Sequence, residues 1–296
     1  MVNKINNLLE ELNEKDIAVL RIIEGLRTAF QFAPVSKIKE RYNYKDKREV
    51  EKILNKLNKL ELVEHGFMKN EDAYRLRNLA YEVLAFWDLK KQGIIKELLR
   101  VIGIGKEAKV YLAKSFTNEP LIAKVHLYSG QKFEDIKRSL SYLAIKWRAE
   151  QLNIFDFQLD IPRAKAQIEA IVLDKLKNYN VPRFITINRH VVVTEMIGDK
   201  EKFEPAPQLH KIKLADKESA KALKEDILEH YNEIYEKGEI VHGDLSEKNI
   251  LFDLNQGKFY FIDWPQAVPR DFERAEELYQ RDIENIKNYF KRKYKV

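Results

Sequence analysis

At 296 residues, 45% hydrophobic and 34% charged, the chain has the composition of one large or two smaller globular domains rather than of a disordered polymer. It has no cysteine, which excludes disulfides, Cys-ligated zinc and thiol catalysis, and its net charge of +6 does not by itself demand a nucleic-acid partner. No apolar run approaches the roughly 20 residues of a membrane-spanning helix, and Met1-Val-Asn-Lys-Ile lacks the apolar stretch of a signal peptide, so the expectation is a soluble cytoplasmic protein with no membrane partner.

The first 82 residues are predicted to be helical and then to turn into strands. Leu8, Leu9 and Leu12, then Ile17, Leu20, Ile23 and Leu26, recur at helical spacing, with Asp16 as the start of the second helix. A short helix follows from Pro34 to Tyr42, and Asp46 is expected to cap a longer one. That helix would bury Val50, Ile53, Leu54, Leu57 and Leu60. It would present Lys45, Arg48, Lys52, Lys56 and Lys59 on its other face. Between Lys37 and Lys59 nine Lys/Arg stand against four Asp/Glu. Two strands, Leu62–Phe67 and Ala73–Arg77, then flank a turn, which completes the order of a winged helix-turn-helix. The five cations are the candidate nucleic-acid contacts. Asn78 to about Arg100 reads as one amphipathic helix, with residues 83–98 as a linker between domains and Gly93 as a break or a bend.

From Val101 the periodicity becomes that of strands. Gly103-Ile-Gly105-Lys106-Glu107-Ala108-Lys109-Val110 forms a glycine turn between two of them, where backbone N–H groups can approach phosphates. Lys124 stands in the middle of the apolar strand Leu121-Ile-Ala-Lys-Val, where an ammonium must snorkel or meet a negative charge. Ser129 to about Phe157 lacks periodicity and reads as an insertion, with Ser129, Ser139 and Ser141 as candidate autophosphorylation positions. The helix Ala164–Leu176 carries Glu169, within reach of Lys124. Strands at Arg183–Ile187 and Val191–Met196 follow. Glu195, Met196 and Ile197 form a candidate hinge whose main chain would meet an adenine.

The densest chemistry is Ile240-Val-His242-Gly-Asp244-Leu-Ser-Glu-Lys-Asn249 and Phe261-Ile-Asp263-Trp-Pro-Gln. An Asp and an Asn five positions apart, with a second carboxylate fourteen further on, suit phosphoryl transfer. Asp244 would orient or deprotonate a nucleophile, while Asn249 and Asp263 offer hard oxygens to Mg²⁺, or to Mn²⁺. His242 reads as a brace of this loop, and Trp264 and Tyr111 read as core.

At these residues the chain resembles the RIO family of atypical serine/threonine protein kinases. Gly103-Ile-Gly-Lys-Glu-Ala-Lys-Val-Tyr, His242-Gly-Asp-Leu-Ser-Glu-Lys-Asn and Ile262-Asp-Trp-Pro-Gln are similar to its three signatures. Arg281-Asp-Ile-Glu-Asn-Ile-Lys-Asn-Tyr-Phe is similar to its last helix, and the winged helix in front to its second subfamily. The resemblance implies an α+β architecture: a winged helix-turn-helix at 1–82, a linker helix at 83–98 and a trimmed bilobal kinase-like domain at 99–296, its lobes meeting at about 197/198. It implies ATP and Mg²⁺ as cofactors, with Gly103, Gly105, Lys106, Glu107, Val110, Lys124, Glu169, Glu195, Met196 and Ile197 around the nucleotide. Lys124 would meet the α/β-phosphates, Asp244 would be the catalytic aspartate, and Asn249 and Asp263 would hold the metal. Asp263 could also carry phosphate, which would make the protein a switch-like ATPase. The implied partner is the pre-ribosomal small subunit and its rRNA, approached by a monomer.

Ala108 stands where ordinary protein kinases have a third glycine, and Pro265 where they have the glycine two after the metal aspartate. Thirty-three residues follow Asp263, too few for an activation segment or for the substrate-binding region of aminoglycoside and choline phosphotransferases. Such a small-molecule kinase is the rival reading. A nucleic-acid-binding adaptor with an inactive kinase module is the other, and it would predict loss of Lys124, Asp244, Asn249 or Asp263, all of which are present.

Overall fold

In the computed structural model the described residues are 2–44, 46–68, 70–127 and 161–296. Lys45 and the insertion expected between Ser129 and about Phe157, with its three serines, lie outside them. The chain forms two compact units, Met1–Val101 and Ile102–Val296.

In the first unit, α1 (Val2–Glu11) and α2 (Glu14–Leu26) are followed by β1 (Ala33–Pro34) and α3 (Val35–Arg41). Then come α4 (Glu49–Lys59), the hairpin β2 (Val63–Met68) and β3 (Glu71–Leu76), and α5 (Asn78–Lys91). Helix α2 starts earlier than its apolar spacing suggests. Asn13 accepts from the backbone N–H groups of Lys15 and Asp16 while the Asp16 carboxylate accepts from Asn13 N, a reciprocal cap that satisfies otherwise orphaned donors. Helix α4 buries Val50, Ile53, Leu54 and Leu57 as expected, whereas Leu60, expected with them, is its half-buried C-cap. Asp46 does not cap it: the aspartate closes the preceding turn by accepting from Arg48 N at 3.0 Å, and the helix begins at Glu49. The wing gains a third strand that the sequence did not announce, because β1 pairs with β3 through only two residues, Ala33↔Tyr74 and Pro34↔Ala73. A two-residue strand carries no alternation to read.

The linker helix is corrected most. Helix α5 stops at Lys91, and Ile95–Leu98 belong to strand β4 (Ile95–Ile104). Gly93 takes φ +74°, Gly93 N donates to Lys90 O and Ile94 N donates to Leu89 O. These paired bonds satisfy the last helical carbonyls and terminate the helix on a glycine in the left-handed region. Ile95 and Leu98 are buried in the strand, so their apolar spacing fitted both periods.

A five-stranded sheet runs in the order β4–β5–β6–β8–β7; β5 (Ala108–Ser115), β6 (Pro120–His126), β7 (Phe184–Asn188) and β8 (Val191–Glu195) belong to the second unit, which takes only the end of β4. Strand β6 is central and antiparallel to both neighbours, with Lys124 opposite Val110 on one side and Val192 on the other. Helix α6 (Ile161–Lys175) packs on this sheet and buries ten residues, including Lys165 and Glu169. The remainder is mostly helical. Beyond the short pair β9 (Gly198–Asp199) and β10 (Glu204–Pro205), α7 (Lys217–Glu233) starts on an Asp216 cap and ends in a π turn at Ile234–Gly238. Strand β11 (Ile240–Val241), the hairpin β12 (Ile250–Asp253) and β13 (Lys258–Phe261), and β14 (Val268–Pro269) precede the closing helix α8 (Ala275–Tyr294). Its core is aromatic: Tyr231, Phe259, Phe261, Trp264 and Phe290 are buried together. Tyr111 is buried in the sheet, so both Trp264 and Tyr111 are packing residues. No described helix is long and apolar enough to cross a membrane.

The basic face of α4 is partly consumed by the fold. Lys56 donates to the buried carboxylate of Asp16 at 2.7 Å and to Glu11 O at 3.3 Å, and Arg48 pairs with Asp46. Replacing Lys56 by Met leaves the Asp16 carboxylate without its cation and is expected to lower stability by about 1–2 kcal/mol, discounted because Lys56 is partly exposed. Chemical denaturation checks this; a shift no larger than that of Lys52→Met, on the exposed side of the same helix, would show that the pair contributes nothing.

Candidate active site

Strand alternation puts Ile122, Lys124 and His126 on one face of β6. Opposite, two residues four apart on α6, Lys165 and Glu169, point the same way. The Lys124 ammonium donates to Glu169 Oε1 at 2.8 Å and to Asp263 Oδ1 at 2.5 Å. The other carboxylate oxygen of Glu169 lies 2.6 Å from His126 Nε2. Burial favours neutral forms throughout this cluster, yet for Lys124 and Glu169 the charges outweigh it. Lys124 is held well above the usual lysine range by Asp263 and Glu169 against the cost of desolvation. Burial pushes Glu169 up, but Lys124 and His126 bring it down to about 2. His126 is lowered, desolvation prevailing over its bond to Glu169, so its imidazole is neutral near neutral pH and donates from Nε2.

The glycine turn is anchored rather than loose. Gly105 N donates to Ala108 O at 2.8 Å, Leu127 N donates to Glu107 O at 2.7 Å, and the Glu107 carboxylate takes the buried ammonium of Lys165 at 2.9 Å. Neither Gly103 nor Gly105 has positive φ, and a Cβ on either would meet its neighbours only at ordinary distances of 3.6 Å or more. The fold tolerates side chains there, so what these glycines provide is clear space over the turn. Lys106 is exposed beside it, and Val110 faces Lys124 across the β5–β6 ladder.

The second group is built on one buried acid. Asp282 of α8 is fully enclosed and accepts from Tyr231 OH, Gly243 N and Leu245 N, at 2.7, 2.8 and 3.0 Å. Arg281 donates to Gly243 O and Asn285 to Leu245 O. These bonds clamp the main chain on both sides of Asp244. His242 braces the loop as expected: Nε2 donates to Ile262 O at 2.9 Å, and Nδ1 accepts from Asp244 N at 3.3 Å. Gly243 has φ +77°, and a Cβ there would come within 2.6 Å of Gln266 O. Asp263 also takes positive φ, +72°, a costly conformation for a residue other than glycine that marks functional positions. Gln266 Nε2 donates to Asp244 Oδ2 at 3.3 Å. Asn249 Nδ2 donates to Asp244 O at 2.8 Å, which leaves Asn249 Oδ1 as its available atom. Desolvation of its carboxyl, together with Asp263 and Asp282 and against His242 and Arg281, lifts the Asp244 pKa.

Within this unit, then, Lys124, Glu169 and Asp263 are bonded together, and Asp244 and Asn249 share the adjoining loop. The candidate hinge is narrower than its sequence suggests. Glu195 N donates to Arg183 O, the Glu195 carboxylate takes Arg183 N and Lys200, and Ile197 O accepts from Ala206 N. Met196 and Ile197 are buried, so only main-chain groups such as their N–H remain for a ligand. No cluster of three or more acidic, His or Cys groups suited to a metal occurs among the described residues. Mg²⁺ takes one or two carboxylates and completes its shell with phosphate and water oxygens. Asp263 would offer one carboxylate to such an ion, and Asn249 an amide oxygen, Oδ1.

Four residues of the site take no role from the sequence reading: His126, Lys165, Gln266 and Asp282, although Gln266 and Asp282 lie inside stretches that resemble the family. Signals exist in the sequence for three. His126 shares a strand face with Lys124, Lys165 precedes Glu169 by one helical turn, and Asp282 falls on the inner stripe of α8 with Tyr279, Ile286 and Tyr289. Gln266 gives none beyond its place in such a stretch.

A sheet-borne lysine held by a helix glutamate and facing an Asp/Asn loop defines the protein-kinase-like class. A model of the RIO domain matches residues 109–296, and one of the Rio2 N-terminal domain matches residues 9–92. The RIO-type serine/threonine-protein kinase Rio2 of Methanocaldococcus jannaschii is 35% identical, over 82% of this chain and 84% of that protein. The Saccharomyces cerevisiae serine/threonine-protein kinase RIO2 is 25% identical over 96% of this chain and 65% of its own length. The Dictyostelium discoideum rio2 kinase is 26% identical over 97% of this chain, which spans 51% of that protein. In structure, the chain is similar to the Rio2 kinase of Chaetomium thermophilum solved as an ADP/Mg²⁺-phosphoaspartate complex, with TM-score 0.80 and 22% identity over 98% of this chain and 84% of that one. The chain belongs to the RIO family of serine/threonine-protein kinases.

His126 is expected to position Glu169 and, through it, Lys124. His126→Leu should lower kcat/KM for ATP by roughly tenfold, as misplaced catalytic groups do. His126→Gln, which can still donate to Glu169, should recover most of the loss. Equal losses in both variants would reduce His126 to a packing residue.

Proposed function

We propose that the chain is an ATP- and Mg²⁺-dependent RIO-type kinase and ATPase acting in maturation of the small ribosomal subunit. The observation that carries the chemistry is the Lys124 ammonium bonded to both Glu169 and Asp263, beside a loop that presents Asp244 and Asn249. The similar Chaetomium Rio2 kinase supports it, having been solved with ADP, Mg²⁺ and a phosphoaspartate.

In this reading Lys124 exchanges part of its bonding to Asp263 for the α/β-phosphates, and Glu169 keeps it aimed. The turn Gly103–Gly105, with Lys106, Glu107 and Val110, covers the phosphates, and the Met196–Ile197 main chain meets the adenine. Asn249 and Asp263 would hold Mg²⁺, which would supply charge neutralisation to the phosphates when bound. Asp244 orients the nucleophile and takes its proton. Its raised pKa brings it closer to a useful base. Where Asp263 is the acceptor, one of its carboxylate oxygens bonds to the γ-phosphorus as the bond from that phosphorus to the β,γ-bridging oxygen breaks. ADP leaves, and water later cleaves the acyl phosphate.

The winged helix would dock on pre-ribosomal RNA, but with fewer free cations than its sequence offers. Lys52 and Lys59 are exposed, whereas Arg48 and Lys56 are paired within the fold. The chain is taken to act as a monomer.

Asp244→Ala and Asp263→Ala should each lower Mg²⁺-dependent ATP turnover by roughly 10²–10⁴-fold. Normal turnover in either removes the mechanism. Acid-labile, hydroxylamine-sensitive phosphate should form on the wild type and be absent from Asp263→Asn; its persistence would place the phosphate elsewhere. Lys52→Glu with Lys59→Glu should weaken binding to pre-ribosomal small subunits and flatten its salt dependence. An unchanged salt slope would leave the winged helix a protein-docking module.

A further inference from the structure

The basic end of the chain remains unused by the chemistry above. From Asn285 to Val296 there are five cations, Lys287, Lys291, Arg292, Lys293 and Lys295, and no acid. From Pro205 to Ala215 there are Lys211 and Lys213, again with no acid. The fold joins these two stretches. Lys293 Nζ donates to His210 O at 2.9 Å and to Ile212 O at 2.8 Å. Tyr289 OH donates to Leu209 O at 2.9 Å, and Leu214 N donates to Tyr294 OH at 3.3 Å. The last turn of α8 therefore grips the 209–214 segment along its length. Lys293 is used in that grip, between the rings of Tyr289 and Tyr294. The other six cations are exposed, and none has an ion pair with an acid among the described residues.

Elsewhere in the chain Lys4, Lys15, Lys39, Lys56, Lys200 and Lys237 sit on carboxylates. Cations in a last helical turn are favoured by the helix dipole, which accounts for Lys291 and Arg292. The dipole does not account for Lys287, more than a turn before Arg292, nor for Lys211 and Lys213, which lie off the helix. Six cations without an ion pair, on two stretches that carry no acid of their own, repel one another and lose little by exchanging counterions for phosphates.

We propose that this surface, formed by α8 and the 209–214 segment, binds the phosphate backbone of RNA. The inference stands apart from the nucleotide chemistry, because none of its residues belongs to the Lys124–Asp263 cluster or the Asp244 loop. It also lies on the second unit, distinct from the winged helix. The interaction is one of backbone charge rather than base reading, since lysines dominate it and no exposed aromatic platform accompanies them among the described residues.

The test uses the full chain with Lys211, Lys291, Arg292 and Lys295 all replaced by Gln. A control carries Lys4, Lys221, Lys237 and Lys258 replaced by Gln, removing the same charge elsewhere. Binding to a short duplex RNA and to a short single-stranded RNA is titrated over a range of salt, with melting temperature and ATP turnover as folding controls. The surface variant should bind at least about tenfold more weakly, and its salt slope should fall by roughly 0.7–0.9 for each phosphate that is no longer neutralised. The control should stay near the wild type. Equal losses in surface variant and control, or no loss in either, overturn the proposal. So does a loss seen with anionic vesicles or a polyglutamate peptide but not with RNA, which would make the partner a membrane or an acidic protein. Lost turnover in Asp244→Ala with intact RNA binding bears only on the phosphoryl chemistry, so the two readings fail separately.

Discussion

The second unit turns on one ammonium. Lys124 lies in the centre of the sheet, and an unpaired charge there would cost several kcal/mol. It persists because Glu169 reaches it from α6 and Asp263 from the loop after β13. Three elements far apart in sequence are thus fixed against one another by a single side chain. The same bonds make the arrangement poised, since a carboxylate–ammonium pair can be traded for a phosphate–ammonium pair without leaving either charge stranded. His126 completes the set by using the second oxygen of Glu169, so that the glutamate cannot swing away from Lys124 without breaking a buried bond.

A second constraint acts on the opposite loop and is independent of the first. Asp282 gathers three donors around Asp244 and binds none of the reacting groups. Its cost of burial is met by those donors, and in return the main chain at 243–245 has one shape. Gly243 and Gln266 then press the two acidic loops together closely enough that only glycine fits at 243. Asp263, with φ +72°, follows this packing in left-handed backbone, a region that Asp enters more readily than most residues. Rigid support below and charged groups above is what a phosphoryl-transfer site needs, since its catalysis is mainly positioning and electrostatics.

How much of this is legible in sequence follows from how local each feature is. The glycine turn, the lysine in an apolar strand and the Asp–Asn–Asp spacing each concern neighbouring residues, so the pattern shows them. Helix α4 and the β2–β3 hairpin are legible for the same reason. The end of α5 is not, because Ile94, Ile95 and Leu98 suit a helix and a strand equally, and Gly93, which decides between them, suits a bend as well as a stop. The cap of α2 shows the same limit. Asn13 and Asp16 share the work, and either could be the first residue. The pairing of Lys56 with Asp16, forty positions away, is invisible to periodicity, and it is what reduces the basic face of α4.

That pairing bears on reading charge in general. Lys56 and Lys291 look alike in sequence, each a lysine near the end of an amphipathic helix. One is spent on a buried aspartate of its own fold; the other is exposed and, like five more cations of α8 and the segment it grips, makes no ion pair among the described residues. Counting basic residues favours the winged helix as the place where a polyanion would bind. Subtracting the cations whose charge the fold already neutralises moves much of the available positive potential onto α8 and the segment it grips. What a charged surface can attract depends on the charge left after folding.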